Sequence, residues 1–430
     1  MHFTSISSAP DALRRATVAV LLTSALLAPV LVHAQEDAVA EEPVTMSEEV
    51  ANTDVISADI PADTIVAETP AETPVAPITP LRVPFSPEML ESSNYGMSIF
   101  VWNHPETTQR DLETLKLADV GWQKTLFQWR EIEPSCKYCF DFREADRVVA
   151  ESNKAGIKIL ARIDFSPNWT RKDGVWRNAR PDNLQDFADF LRVFSDRYKT
   201  GSPHGHVHAI EIWNEPNLQR EWGTPVSQQS AADYVQMLKM AYQTIKANDP
   251  SILVVTAGLS PTGWDDDTAR PDDRFLQWMY DAGLQGNYDV LGVHGNAQAP
   301  DPLAEPGSLE GFGDASFYFR RIEQLRGIQE ANGDDKPMWL LEFGWTSDPV
   351  HPEYSWFAVS EEQKASNLLA AMQYARVNWP WMQVMTIWTL PDPSWGDDRE
   401  EYWWALANRD GTPRPALDLL VSTAQAGQLP

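Results

Sequence analysis

The 430-residue chain is short of several things, and each shortage excludes a class of protein. It has two cysteines, too few for a multi-disulfide scaffold or a four-Cys zinc site. Cations are the minority charge: 34 Lys and Arg stand against 62 Asp and Glu, a formal charge of −28. Sequence-independent affinity for nucleic acid comes from clustered cations, so a phosphate backbone is not the expected partner. An acidic membrane surface is excluded on the same ground. Neutral polymers such as polysaccharides stay open. No G-x-G-x-x-G follows the first apolar run, and no G-x-x-x-x-G-K-[ST] occurs anywhere, which argues against a nucleotide-binding sheet. Only one apolar run is long enough to approach a membrane span, Ala16 to Val32.

That run follows Arg14 and Arg15 and ends at Val32-His33-Ala34, a small-x-small pattern. Residues 1–34 therefore read as a cleaved export signal; an uncleaved anchor is the alternative, since the stretch is just about long enough to span a bilayer. Residues 35–84 read as a disordered, acidic linker rich in Pro, Ala and Thr. Positions 35–80 hold eleven acidic residues and no Lys, Arg, Phe, Tyr or Trp. Such a segment buries too little apolar surface to offset its ordering entropy. All 18 Trp follow it. The expectation is an exported protein, free of the membrane once the signal is cleaved, with one folded unit over 85–430.

Within that unit, eight short apolar runs alternate with helix-like stretches. The runs cover 95–102, 122–127, 157–163, 208–213, 252–257, 288–293, 337–341 and 383–388. The helical stretches cover 108–118, 143–154, 183–198, 231–247, 274–282, 315–330 and 361–377. Leu184, Phe187, Phe190, Leu191 and Phe194 fall at the spacing of one buried helical face. Asn183 and Ser360 are placed to cap helices, and Gln363 completes a capping-box pattern with Ser360. Eight strand–helix units favour an α/β fold of the closed (β/α)8 TIM-barrel type.

Chemistry in such a barrel sits at the C-terminal ends of the strands. After the fourth run comes Trp213-Asn214-Glu215-Pro216, and after the seventh Leu341-Glu342-Phe343-Gly344. Two carboxylates thus meet one barrel mouth from two sides. Burying them is costly without a purpose. Glycoside hydrolysis needs such a pair, one carboxyl protonated to donate to the leaving oxygen and one ionised to attack or to activate water.

The string Trp213-Asn214-Glu215-Pro216-Asn217-Leu218 resembles the acid/base motif of the clan A glycoside hydrolases. Residues 211–222 resemble family 39 most closely. Leu340-Leu341-Glu342-Phe343-Gly344-Trp345 is similar to the nucleophile strand of families 5, 17 and 39. Glu131-Ile132-Glu133-Pro134, Ser166-Pro167-Asn168-Trp169 and Arg414-Pro415-Ala416-Leu417 also resemble clan A segments. The resemblance implies a retaining mechanism with Glu215 as acid/base and Glu342 as nucleophile, their carboxyls roughly 5 Å apart. It implies that Asn214 bonds the sugar 2-hydroxyl, that His294 stands beside the nucleophile and that Trp388 floors the reacting sugar. Lys124 stands where many members carry Arg, near the nucleophile. Leu341 stands where Thr is common, and Gly295-Asn296 follows His294 where family 39 often has Tyr.

Trp169 and Trp345 are further candidates for substrate contact. Trp102, Trp222, Trp264 and Trp395 also fall near strand ends, where they either line a groove or pack loops. Glu211 is expected to pair inside the barrel with Arg162 or Lys124. The run His204-Gly205-His206-Val207-His208 begins a strand, at the end away from the mouth, so no metal is assigned to it. Cys136 and Cys139 are expected to form a short disulfide in an exported chain. The substrate expected is an oligo- or polysaccharide, with no cofactor, and the chain is expected to act as a monomer. A catalytically silent carbohydrate-binding barrel and a transglycosylase on the same site remain alternatives.

Overall fold

The computed structural model describes residues 94–172, 178–310, 312 and 314–430. The expected signal and linker, 1–84, lie outside the described residues. Eight parallel strands form one sheet: β1 (Tyr95–Ser98), β2 (Trp122–Gln128), β3 (Lys158–Asp164), β4 (Ala209–Ile212), β5 (Leu253–Thr256), β6 (Leu291–Asn296), β7 (Met338–Gly344) and β8 (Met382–Ile387). The sheet order is β5-β4-β3-β2-β1-β8-β7-β6. A parallel bridge between Val255 and Val290 joins the two outer strands, with Thr256 N–H donating to Val290 O at 3.1 Å. The chain is therefore a (β/α)8 barrel.

After the successive strands come α1 (Pro105–Leu117), α2 (Arg143–Ala155), α3 (Leu184–Arg197), α4 (Gln228–Asn248), α5 (Asp272–Asp281), α6 (Arg321–Ala331), α7 (Glu361–Asn378) and α8 (Pro415–Gln425). Local chemistry sets their ends. The Asn183 side chain accepts from Gln185 N–H at the start of α3, and its apolar face of Phe187, Phe190, Leu191 and Phe194 is buried. Ser360 caps α7 through Gln363 N–H, while the Gln363 amide turns to Asn367 at 2.6 Å. Only half of the expected capping box therefore forms.

Three elements differ from expectation. β1 stops at Ser98 because the chain turns at Asn103, whose φ is 61°, into Pro105 at the start of α1. The sixth strand starts at Leu291, because Tyr288 and Asp289 are spent on other partners: Tyr288 Oη donates to Asp334 at 2.6 Å and Asp289 accepts from Val254 N–H at 2.8 Å. The helix expected over 315–330 is two pieces. Asp314 caps a single turn over Ala315–Phe317, the chain is extended at Tyr318, and α6 begins at Arg321.

The barrel interior is layered. Trp122, Leu160, Ala209, Val255, Val290, Trp339, Leu341 and Val384 make an apolar floor, with the Trp122 and Trp339 rings edge-on at 4.8 Å. One step toward the strand C-termini the lining becomes charged: Lys124, Arg162, Glu211, His294 and Glu342. The larger apolar cluster lies between sheet and helices. An apolar floor thus lies beneath a charged layer that faces the mouth.

Candidate active site

Glu342 is inside β7 and buried. Its Oε1 accepts from Lys124 Nζ on β2 at 2.9 Å, and lies 3.7 Å from His294 Nε2 on β6 and 4.0 Å from Arg162 Nη1 on β3. Burial pushes the carboxyl up, but His294, Lys124 and Arg162 overcome it and hold it down to about 2. Glu342 is thus an ionised carboxylate in a low-dielectric pocket. Lys124 also meets Glu211 at 3.1 Å, as an interior pair.

Glu215 lies three residues beyond β4. Trp213 and Glu215 both take positive φ, 73° and 40°, a conformation that L-residues adopt at a cost. Two hydrogen bonds hold the turn: Glu215 N–H donates to Gly258 O at 3.1 Å, and Trp213 Nε1–H to Glu221 O at 2.8 Å. The turn aims the Glu215 carboxylate at His294, whose Nδ1 is 3.1 Å from Oε1. One imidazole therefore touches both carboxylates. Lys124 Nζ also lies 3.5 Å from its Nε2. His294 has no slack, since a Cβ on Gly258 would overlap its ring.

Arg220, on the short helix Gln219–Trp222, lies 3.6 Å from Glu215 Oε2. Burial and the Glu342 charge push Glu215 up. The hydrogen bond and charge of His294, with Arg220, outweigh them and leave Glu215 below its ordinary value. Asp164, at the end of β3, is raised by burial to about 6 in spite of Arg162, which is 3.2 Å away. Glu221 is raised by burial and by the Glu215 charge.

The Asn214 side chain is buried, and its Oδ1 accepts no hydrogen bond within the protein, as a group awaiting a ligand hydroxyl would. Trp388 is half-buried just beyond β8, edge-on to Phe100 at 5.8 Å. One of the candidate tryptophans takes another place. Trp345 is 1% exposed, with Nε1–H donating to Ala299 O at 2.9 Å. It packs on Phe319 outside the barrel and cannot meet a substrate. Trp169 packs against Trp129 and donates to Glu133 O at 2.9 Å, so its N–H is spent bracing the loop after β2. Among the other loop tryptophans, Trp222 is buried and Trp264 is exposed.

Cys136 and Cys139 are joined as a disulfide in that loop, with Cα atoms 5.2 Å apart. Among the described residues no group of three or more His, Cys, Asp or Glu is placed to hold a metal ion. His208 accepts from Ile159 N–H at 3.2 Å, and burial lowers its pKa to about 4.

Sequence reasoning missed Arg220 as a partner of Glu215, and it missed that Arg162 reaches Glu342. Arg220 sits five residues after Glu215, within the string that carried the family resemblance. Arg162 alternates inward with Leu160 and Asp164 on β3, so strand periodicity could have placed it at the mouth.

No family model matches this chain, and no curated protein is detectably similar to it in sequence. Solved structures are similar in fold. A family 39 glycoside hydrolase from the gut symbiont Bacteroides cellulosilyticus WH2 aligns at a TM-score of 0.58 and 18% identity, over 79% of this chain and 64% of that one. The GH39 enzyme of Xanthomonas axonopodis pv. citri aligns at 0.55 and 15%, over 78% and 66%. The xylanase XynB of Paenibacillus barcinonensis aligns at 0.52 and 14%, over 77% and 95%. The chain spans just under two thirds of the length of the two family 39 structures. At this identity the likeness establishes the barrel fold shared with these glycoside hydrolases.

Proposed function

We propose that the protein is a retaining glycoside hydrolase acting on the O-glycosidic bonds of an oligo- or polysaccharide. The observation that carries this reading is the bridge of His294 between Glu215 and Glu342, two carboxylates from β4 and β7 at one mouth. Their environments differ as the chemistry requires. Glu342 is clamped in its ionised form by Lys124, Arg162 and His294, which suits attack on an anomeric carbon. Glu215 has an adjustable balance of burial, His294, Arg220 and the Glu342 charge.

In the first half-reaction a Glu342 oxygen bonds to the anomeric carbon. The glycosidic C–O bond breaks, and the proton of Glu215 goes to the leaving oxygen. Bond formation neutralises Glu342, which removes the charge that raised Glu215. In the second half-reaction Glu215 takes a proton from water. The water oxygen bonds to the anomeric carbon, and Glu342 leaves as carboxylate. The lowered value of Glu215 in the free protein favours this second, base step. Asn214 would hold the sugar 2-hydroxyl, and Trp388 would lie under its C–H face.

The Cys136–Cys139 disulfide suits an oxidising compartment, which supports export behind residues 1–34; the proposal takes the protein to act outside the cell as a monomer. The test is release of reducing ends from plant, fungal and bacterial polysaccharides and aryl glycosides by wild type, Glu215→Gln and Glu342→Gln. Loss of activity in both variants is expected, with retained anomeric configuration by proton NMR. Full activity in Glu342→Gln would overturn the assignment.

A further inference from the structure

Two further acids stand beside the catalytic cluster: Asp164, at the end of β3, and Glu221, on the short helix Gln219–Trp222. One side chain joins them. Asn178, in the loop after β3, is buried, and its Nδ2 donates to Glu221 Oε2 at 2.9 Å and to Asp164 Oδ2 at 3.2 Å. Its Oδ1 accepts from Phe165 N–H at 3.1 Å, which fixes the end of the amide that meets the acids. The same loop is held to the short helix where Arg180 N–H donates to Trp222 O at 3.2 Å. A single buried amide nitrogen thus spends both of its hydrogens on two acids.

Each acid also shares an arginine with a catalytic carboxylate. Arg162 Nε is 3.2 Å from Asp164 Oδ2, and its Nη1 is 4.0 Å from Glu342 Oε1. Arg220 Nε is 3.8 Å from Glu221 Oε1, and its Nη2 is 3.6 Å from Glu215 Oε2. The run Glu342, Arg162, Asp164, Asn178, Glu221, Arg220, Glu215 therefore links the two catalytic carboxylates a second time, independently of His294.

Asp164 is fully buried, and its Oδ1 accepts no hydrogen bond within the protein. An ionised carboxylate in such a place is costly, and a neutral acid costs less. Burial holds Asp164 up at about 6 against Arg162 and Lys124, and the Glu221 and Glu211 charges add to it. Burial and then the Glu215 charge raise Glu221 against Arg220, Arg162 and the Asn178 hydrogen bond. Both acids therefore keep their protons at a pH where Glu342 and Glu215 are already charged. In that state Arg162 and Arg220 serve the catalytic carboxylates alone. Once the pair ionises at higher pH, it competes for both arginines.

We infer that Asp164, Asn178 and Glu221 are positioning residues that share out Arg162 and Arg220 between themselves and the catalytic pair. The effect on turnover rests on the glycosidase reading, but the sharing can be read out without turnover. Ionisation of the pair draws Arg220 off Glu215 and adds negative charge beside it, so Glu215 holds its proton more firmly as pH rises. The alkaline limb of kcat/KM falls more gradually as a result.

The test compares wild type with the Asp164→Asn, Glu221→Gln double variant, which keeps the side-chain shapes and removes both ionisations. On an aryl glycoside the double variant should match wild-type kcat/KM at about pH 4 and fall to roughly a tenth of it at about pH 7, as for a Glu215 value lowered by about one unit. Glu221→Gln alone should show the same pH-dependent loss in smaller measure, and it serves if the double variant folds poorly. The His294 ring, 3.1 Å from Glu215, reports the same event without substrate. Its 13Cε1 NMR signal, assigned by its loss in His294→Gln, should step at about pH 6 in wild type and not in the double variant. Equal activity at both pH values, an equal loss at both, or a step that is absent from wild type or persists in the double variant overturns the sharing. A step lost in the double variant while Glu342→Gln remains fully active keeps the sharing and overturns the glycosidase assignment instead.

Discussion

Leu341 and Glu342 are sequence neighbours on β7, yet both face the barrel interior. Leu341 joins the apolar floor with Trp122 and Leu160, while Glu342 reaches Lys124 and His294 one layer higher. A regular strand alternates its side chains between faces. The pairing register slips between Val293 and His294 against β6, and between Leu340 and Phe343 against β8. Such irregularities re-aim side chains and recur beside active sites. The slip is what places a carboxylate directly above a sealed floor. Truncation by Leu341→Ala would leave a cavity under Glu342 and should cost about 2–5 kcal/mol of stability. Denaturant unfolding measures it, and a loss under about 1 kcal/mol would mean that the layer repacks freely.

Lys124 holds two buried carboxylates, Glu342 at 2.9 Å and Glu211 at 3.1 Å. Removing one partner from such a cluster costs about 3–5 kcal/mol, so Lys124→Met should unfold at clearly lower denaturant. The sign with pH follows from the depressed Glu342 value. Its charged form contributes stability fully above its unfolded value near 4.5, lost as pH falls through about 2. Without Lys124 the Glu342 value rises, so the acid limb of kcat/KM moves to higher pH. An unmoved limb would show that Lys124 does not set the nucleophile.

Arg220 acts on the other limb. Glu215 must carry a proton in the first half-reaction, and Arg220 helps to keep it ionised. The kcat/KM profile is therefore expected to be acid-shifted, its alkaline limb falling below the ordinary carboxylate value. Arg220→Gln should move that limb upward while leaving the acid limb in place. A shift of both limbs together would point to a general loss of structure.

Gly258 should be intolerant of any side chain. Its absent Cβ is the space that His294 occupies. Gly258→Ala should displace the imidazole from Glu215 and Glu342 and reduce kcat far more than thermal stability. Wild-type kcat in this variant would remove His294 from the account.

The Cys136–Cys139 link closes a very short loop, at a sequence separation of 3. In the chain-entropy picture such a loop contributes only about 2 kcal/mol. The Cys136→Ala, Cys139→Ala pair should therefore stay folded and active, with a modest drop in Tm by calorimetry.

Much of the fold was legible from the sequence because parallel strands buried on both faces read as apolar runs. The alternation of those runs with helical stretches survived in the structure, from Trp122–Gln128 to Met382–Ile387. Element ends were less legible where tertiary partners decide them, as at Tyr288, which Asp334 captures. The carboxylates were visible as charged residues at the ends of apolar strands. The slip in β7 was not, because period-2 reading assigns Leu341 and Glu342 to opposite faces. Trp345 follows the strand of Glu342 as closely as Trp388 follows β8, and only the packing on Phe319 separates them. Strand position marks where a residue emerges, and the neighbouring loops decide where its ring goes.

The central claim is that Glu342 forms and breaks the bond to sugar while Glu215 moves the proton. It is tested most directly by azide rescue on an aryl glycoside that the wild type cleaves. Glu342→Ala should be inactive, with azide restoring turnover and giving a glycosyl azide of inverted configuration. Glu215→Ala should be rescued to a glycosyl azide of retained configuration. Wild-type turnover in Glu342→Ala without azide, or the opposite pair of configurations, would contradict the account.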